Sequence, residues 1–114
     1  MQELTKYSKS MNVTTSKKFQ ERIEAFFEYC QLNYGMTVTQ KKRDEYNKIL
    51  DRILMFPESS RVEPLLVGKK KVYRAVNFEK DFKIIYSVGK DEIRLENLWN
   101  TKMSPKTLKK DIWT

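Results

Sequence analysis

The chain has 114 residues, enough for one domain of ordinary size. It contains no histidine and one cysteine, Cys30. That excludes an internal disulfide, Ser-His-Asp and Cys-His catalysis, and any zinc site built on clustered Cys and His. The net charge of +8 is uneven. Residues 1–60 hold 10 basic and 8 acidic side chains (+2), whereas residues 61–114 hold 13 and 7 (+6). A basic C-terminal half points to an acidic or phosphate-rich partner. No run reaches the ~18 apolar residues of a membrane span. The start "MQELTKYSKS" lacks the apolar centre of a secretion signal, so a cytoplasmic protein with no membrane association is expected.

Residues 1–10 are polar and aperiodic, and read as an N-terminal extension open to disorder, with Met11 an alternative start. The single domain is expected over 11–114. "MNVTT" (Met11–Thr15) alternates weakly and suits an edge strand. Ser16 is a candidate N-cap for a helix over Lys17–Tyr34. Phe19, Ile23, Phe26, Phe27 and Cys30 recur at spacings that put them on one face of it. Gly35 suits the left-handed conformation that ends a helix. A second helix is predicted over Val38–Met55, capped by Thr37 or Thr39, with Tyr46, Ile49, Leu50, Ile53 and Phe56 inward. Pro57 stops it. Together they make an antiparallel helical hairpin.

After the loop "PESSRVEP" the period changes from 3.6 to 2. A short extended piece is expected at Leu65–Val67. Strands are predicted at Lys70–Phe78, Phe82–Val88 and Glu92–Trp99, joined by turns at "EKD" and "GKD". In the second of these, Phe82, Ile84, Tyr86 and Val88 share one face, and Lys83, Ile85 and Ser87 the other. In the third, Ile93, Leu95, Asn97 and Trp99 are placed together. "PKTLKKDIW" suits a final short helix with Pro105 in its first turn. The expected fold is α+β, with a short N-terminal strand and a helical hairpin on one face of a three- to four-stranded antiparallel sheet. The other sheet face is expected to be open. Lys83 would then sit on its floor, with Arg74, Arg94 and Lys102 around it. A solvated lysine on an open sheet explains its position equally well.

The order "FPESSR", "VYRAVNFEKDFKIIYSV", "IRLENLWNTKMSP" resembles the RelE/ParE superfamily of toxins from type II toxin–antitoxin systems. The resemblance covers about residues 11–110. It implies a compact, growth-inhibiting toxin of the kind associated with plasmid stabilisation, neutralised by a cognate acidic antitoxin. RelE-like members cleave mRNA in the ribosome and ParE-like members poison DNA gyrase. If the chain were a RelE-like endoribonuclease, Arg74, Lys83 and Lys102 would be the catalytic residues. The match to that set is incomplete: Val76 stands where a second basic residue is needed, and no tyrosine follows Tyr86. Each missing acid–base group forfeits ~100- to 10,000-fold in rate, so the ParE-like reading is preferred. An inactive relative that only binds a partner is the third reading. Lys83, Arg94, Trp99, Lys102, Lys106 and Lys109 are the candidates for antitoxin or target contact, with "NTKMSPKTLKK" the leading surface. No cofactor or metal is expected. "GKKK" (Gly68–Lys71) lacks the spacing and following helix of a nucleotide-binding loop.

Overall fold

The computed structural model describes residues 11–113, so the N-terminal extension over 1–10 lies outside the described residues. The chain begins with strand β1 (Asn12–Thr15) and enters helix α1 (Lys17–Met55). Ser16 caps α1: its Oγ accepts from the Phe19 amide at 3.0 Å and donates to the Glu96 carbonyl at 2.7 Å. Helical geometry breaks at Gly35, with φ 85° and ψ 175°. This conformation is open essentially to glycine alone. The break folds α1 into two limbs, as expected, but the link is tighter than the Gly35–Thr37 stretch anticipated. Thr39 is no N-cap; its hydroxyl donates back to the Gly35 carbonyl at 2.8 Å from inside the second limb.

Beyond α1, strand β2 (Arg61–Val62) leads to a 3-10 turn (Pro64–Leu66), where an extended piece was expected. Strands β3 (Tyr73–Phe78), β4 (Phe82–Val88) and β5 (Glu92–Asn100) follow, and helix α2 (Pro105–Trp113) closes the chain. The sheet has five strands in the order β1-β5-β4-β3-β2. β1 pairs with β5 in parallel and every other pair is antiparallel. The sheet is therefore larger than the three or four strands expected, and mixed. The edge strand expected at Met11–Thr15 is present as β1, and the member not anticipated is β2, whose two residues carry no periodic signal.

Both limbs of α1 pack on one sheet face. Phe19, Ile23 and Phe27 from the first limb, and Ile49 and Ile53 from the second, meet Phe78, Ile84, Tyr86, Ile93, Leu95 and Leu98. Each such buried side chain contributes roughly 1.5–3 kcal/mol. Phe26, Phe27, Tyr46, Phe78 and Phe82 form a ring cluster with centroids 5.2–6.4 Å apart. The face assignments for β4 hold. Those for β5 hold only as far as Leu95. A bulge shifts the register so that Ile85 faces Asn97 while Tyr86 faces Leu95. Beyond Glu96 the alternation inverts: Leu98 joins the helix side, and Asn97 and Trp99 turn to the opposite side.

That opposite side is not open. Leu66, Tyr73, Ile85, Trp99 and Leu108 form a second core, flanked by Leu65, Ala75 and Ile112. The 3-10 turn and α2 thus cover much of the face expected to be bare. Burying Ile85 and Trp99 is favourable, and α2 presents Leu108 and Ile112 at helical spacing to do it.

Candidate functional site

The three basic residues of the nuclease reading each have a different partner. Arg74 lies opposite Tyr86, on the α1 side of the sheet. Its Nη1 donates to the carbonyls of Glu58 (3.1 Å) and Ser60 (2.7 Å). Tyr86 donates its hydroxyl to the Pro57 carbonyl at 2.8 Å. Burial pushes the Tyr86 pKa up, which keeps that donor protonated. Arg74 and Tyr86 together pin the segment after α1.

Lys83, one residue out of phase with Ile84, lies on the other side. Its Nζ is 2.9 Å from Oε1 of Glu63, a carboxylate that is only 1% exposed. The second oxygen of Glu63 accepts from the Leu65 amide at 3.0 Å and caps the 3-10 turn. Lys102 is on the loop after β5, 74% exposed, with Nζ 3.4 Å from Asp81. Arg74 and Lys83 therefore project from opposite faces of the sheet.

The binding candidates also divide. Trp99 is 2% exposed, inside the second core, where the β5 bulge places it. Lys106 and Lys109 are exposed on α2. Arg94 is half-buried, with Nε 3.4 Å from Glu96. It opens into a groove of about 820 Å³. Five cations line this groove: Lys17, Lys18, Lys70, Lys71 and Arg94. Glu21, Glu96 and Asp111 oppose them. Reading the sequence singled out only Arg94 here. The other four come from the start of α1 and the loop before β3, stretches far apart in sequence that only the fold brings together.

Asn97, fully buried, holds Asp111, which lines that groove. Its Oδ1 accepts from Arg22 at 2.6 Å, and its Nδ2 donates to Asp111 at 3.4 Å. Asp111 also pairs with Lys18 (3.1 Å) and Arg22 (3.0 Å). Burial alone would raise the Asp111 pKa, but the hydrogen bonds and charges of Lys18 and Arg22 outweigh it, and the net shift is downward. This network ties α1, β5 and α2 together.

A second, apolar groove of about 420 Å³ runs beside the first limb of α1. It is lined by Ala25, Phe26, Tyr29, Phe82, Leu98 and Met103, with Arg22 and Asn100 at its margin. Tyr29 (56% exposed) and Met103 (42%) stand open to solvent there. A neighbouring cavity shares Phe26, Tyr29 and Phe82 and continues past Cys30 toward the tip of the hairpin. Cys30 is 1% exposed, and burial raises its pKa, so its thiol is a packing group rather than a nucleophile. Among the described residues, no cluster of Cys, Asp and Glu is arranged to hold a metal ion.

Comparison with solved structures finds a similar architecture in the chromosomal ParDE TA system from P. aeruginosa. The alignment covers 80% of this chain and 96% of that one, with a TM-score of 0.62 and 13% identity. The chain has the RelE/ParE fold. Neither a protein-family model nor a curated protein matches it. Within the RelE/ParE fold the helical hairpin, the β3–β4–β5 meander and the loop after β5 stand where the sequence resemblance placed them. No helix among the described residues is long and apolar enough to cross a membrane.

Proposed function

We propose that this chain is the toxin component of a type II toxin–antitoxin system, held in check by an acidic antitoxin, and that it arrests growth by poisoning DNA gyrase rather than by cleaving mRNA. The fold supports the toxin reading. The separation of Arg74 from Lys83 across the sheet supports the non-nuclease branch. In-line cleavage by a 2′-hydroxyl needs cations converging on one phosphate, together with a group to move the proton. Here Arg74 holds backbone carbonyls, Lys83 faces a buried carboxylate, and Lys102 sits beside Asp81. The apolar groove beside α1 suits an antitoxin segment. Tyr29, Phe82 and Met103 offer anchors, and the loop carrying Met103 also carries Lys102. An acidic, partly disordered segment with a few large apolar side chains fits both features. Contacts through Lys102, Lys106 and Lys109 belong to this reading.

The test is induction of the chain in bacteria, without its antitoxin, followed within minutes by mapping of RNA 5′ ends and assay of gyrase-linked DNA breaks. Growth arrest with intact messages and gyrase-trapped breaks is expected. New RNA ends inside translated codons would replace this reading with a ribosome-dependent nuclease. Unimpaired growth would leave a binding module without toxic activity.

A further inference from the structure

The basic groove at the start of α1 is distinct from the apolar groove and from the Arg74, Lys83 and Lys102 positions. We infer that it binds the phosphodiester backbone of a nucleic acid, independently of sequence.

Three observations carry this. First, the opening turn of α1 has the wrong charge for its own stability. Helix N-termini favour acidic side chains, yet α1 has none in its first turn and carries Lys17 and Lys18 instead. Asp111 offsets part of this cost through Lys18, and a bound anion lying across that end would offset more. Second, the loop before β3 aims Lys70 and Lys71 at the same space, and Arg94 lines it from β5. Three elements remote in sequence thus contribute cations to one groove. Third, Glu96 organises these cations without silencing them. It is 11% exposed, accepts from Ser87 Oγ at 2.7 Å, and draws Lys71 (3.3 Å) and Arg94 (3.4 Å) toward it. Lys71 stays 54% exposed, Arg94 38% and Lys18 47%. The cations are the solvent-facing members of these pairs, so a phosphate can engage their remaining donors while the contacts to the carboxylates persist.

The groove favours phosphates over an acidic peptide. Peptide recognition concentrates its energy in apolar anchors seated in pockets. Here the aromatic wall residue, Tyr73, is 7% exposed and already packed in the second core. Burial and the Glu96 charge both raise its pKa, so it adds no negative charge to repel a phosphate. Four lysines and one arginine around a polar trough make point-charge contacts, which suit backbone phosphates and read no bases.

The test uses the full-length protein and fluorescein-labelled mixed-sequence oligonucleotides of about 20 nucleotides, single- and double-stranded, titrated by anisotropy at several salt concentrations. Four to five phosphate contacts predict that log affinity falls against log salt with a slope of about −4 on duplex and about −3 on a single strand. Lys70→Ala/Lys71→Ala should weaken binding at least roughly 10-fold at low salt and reduce the duplex slope by about 2. Lys17→Ala/Lys18→Ala should do likewise. Lys41→Ala/Lys48→Ala removes the same charge from the solvated face of α1 and should change little. Thermal melts check that each variant folds, and the loop pair Lys70/Lys71 touches no core. Equal losses in the Lys41/Lys48 variant would reduce the effect to overall charge and overturn the proposal. So would absence of binding at low salt. Poly-glutamate bound as tightly, and lost in the same variants, would make this an acidic-protein site. Competition by inorganic phosphate beyond its ionic-strength effect would make it a site for free phosphate.

Discussion

Lys83 and Glu63 meet on the side of the sheet away from the helical hairpin, 2.9 Å apart, with the carboxylate 1% exposed and the lysine about one-third exposed. The cation that interrupts an otherwise apolar strand therefore has a structural task. Glu63 caps the 3-10 turn that covers the second core, and Lys83 compensates its buried charge. Lys83→Met should destabilise the protein by about 2 kcal/mol. That is below the usual loss on breaking a buried pair, because Lys83 retains contact with water. Adding Glu63→Gln should restore much of this. Urea unfolding of the single and double variants measures it. An unfolding midpoint unmoved in Lys83→Met would return the residue to the list of functional candidates.

Arg74 makes a parallel case on the other face. Its bonds to Glu58 and Ser60, with the Tyr86 bond to Pro57, hold the chain as it leaves α1. Arg74→Ala should cost about 1–3 kcal/mol, and Tyr86→Phe about 1 kcal/mol. Hydrogen exchange should rise first over residues 57–62. If Arg74→Ala instead abolished the proposed growth arrest with stability and exchange unchanged, the residue would be acting on a target.

Asp111 makes the attachment of α2 sensitive to acid. Its folded pKa lies below the ordinary 3.8, so its pairing with Lys18 and Arg22 stabilises the folded state in full above that value. The stabilisation is lost as pH falls from about 4 through the lower folded pKa. Asp111→Asn should destabilise the protein by about 1 kcal/mol at neutral pH and flatten this acid dependence. Amide exchange across 105–112, compared at pH 7 and below 4, reads both effects. Identical pH profiles in wild type and variant would remove Asp111 as the latch.

The break in α1 depends on one residue. Gly35 adopts φ 85° and ψ 175°, and a Cβ there would meet no neighbour, so any penalty is conformational rather than steric crowding. Gly35→Ala should cost about 1–3 kcal/mol. Gly68, also at positive φ but in an exposed loop, offers a comparison site where relaxation is easier. Chemical denaturation of both variants decides whether the hairpin requires glycine at position 35.

Met103→Glu places a negative charge at the rim of the apolar groove. On the proposed toxin reading it should weaken binding of the acidic antitoxin at least roughly 10-fold, through like-charge repulsion and loss of an anchor. Wild-type affinity should itself fall with added salt. Full antitoxin affinity in Met103→Glu, measured by calorimetry, would move the antitoxin to another face.

What the sequence determined by itself were the features with a strong local period or a strong local constraint. The two limbs of α1, the glycine between them and the alternation of β4 follow from apolar spacing, a left-handed backbone requirement and the strand period. The order of motifs was enough to suggest the RelE/ParE fold. Tertiary structure decided what local spacing cannot encode. The parallel pairing of β1 with β5 and the existence of β2 depend on long-range partners. A single extra residue at Glu96 inverts the faces of Asn97, Leu98 and Trp99, and no composition signal marks that bulge. Glu63, 20 residues before Lys83, gives that lysine a structural partner, and α2 covers a face that strand periodicity left apparently open. The basic groove exists only because folding brings Lys17 and Lys18 to Lys70, Lys71 and Arg94. Charges separated by dozens of residues form one electrostatic surface only after the backbone has closed the distance between them.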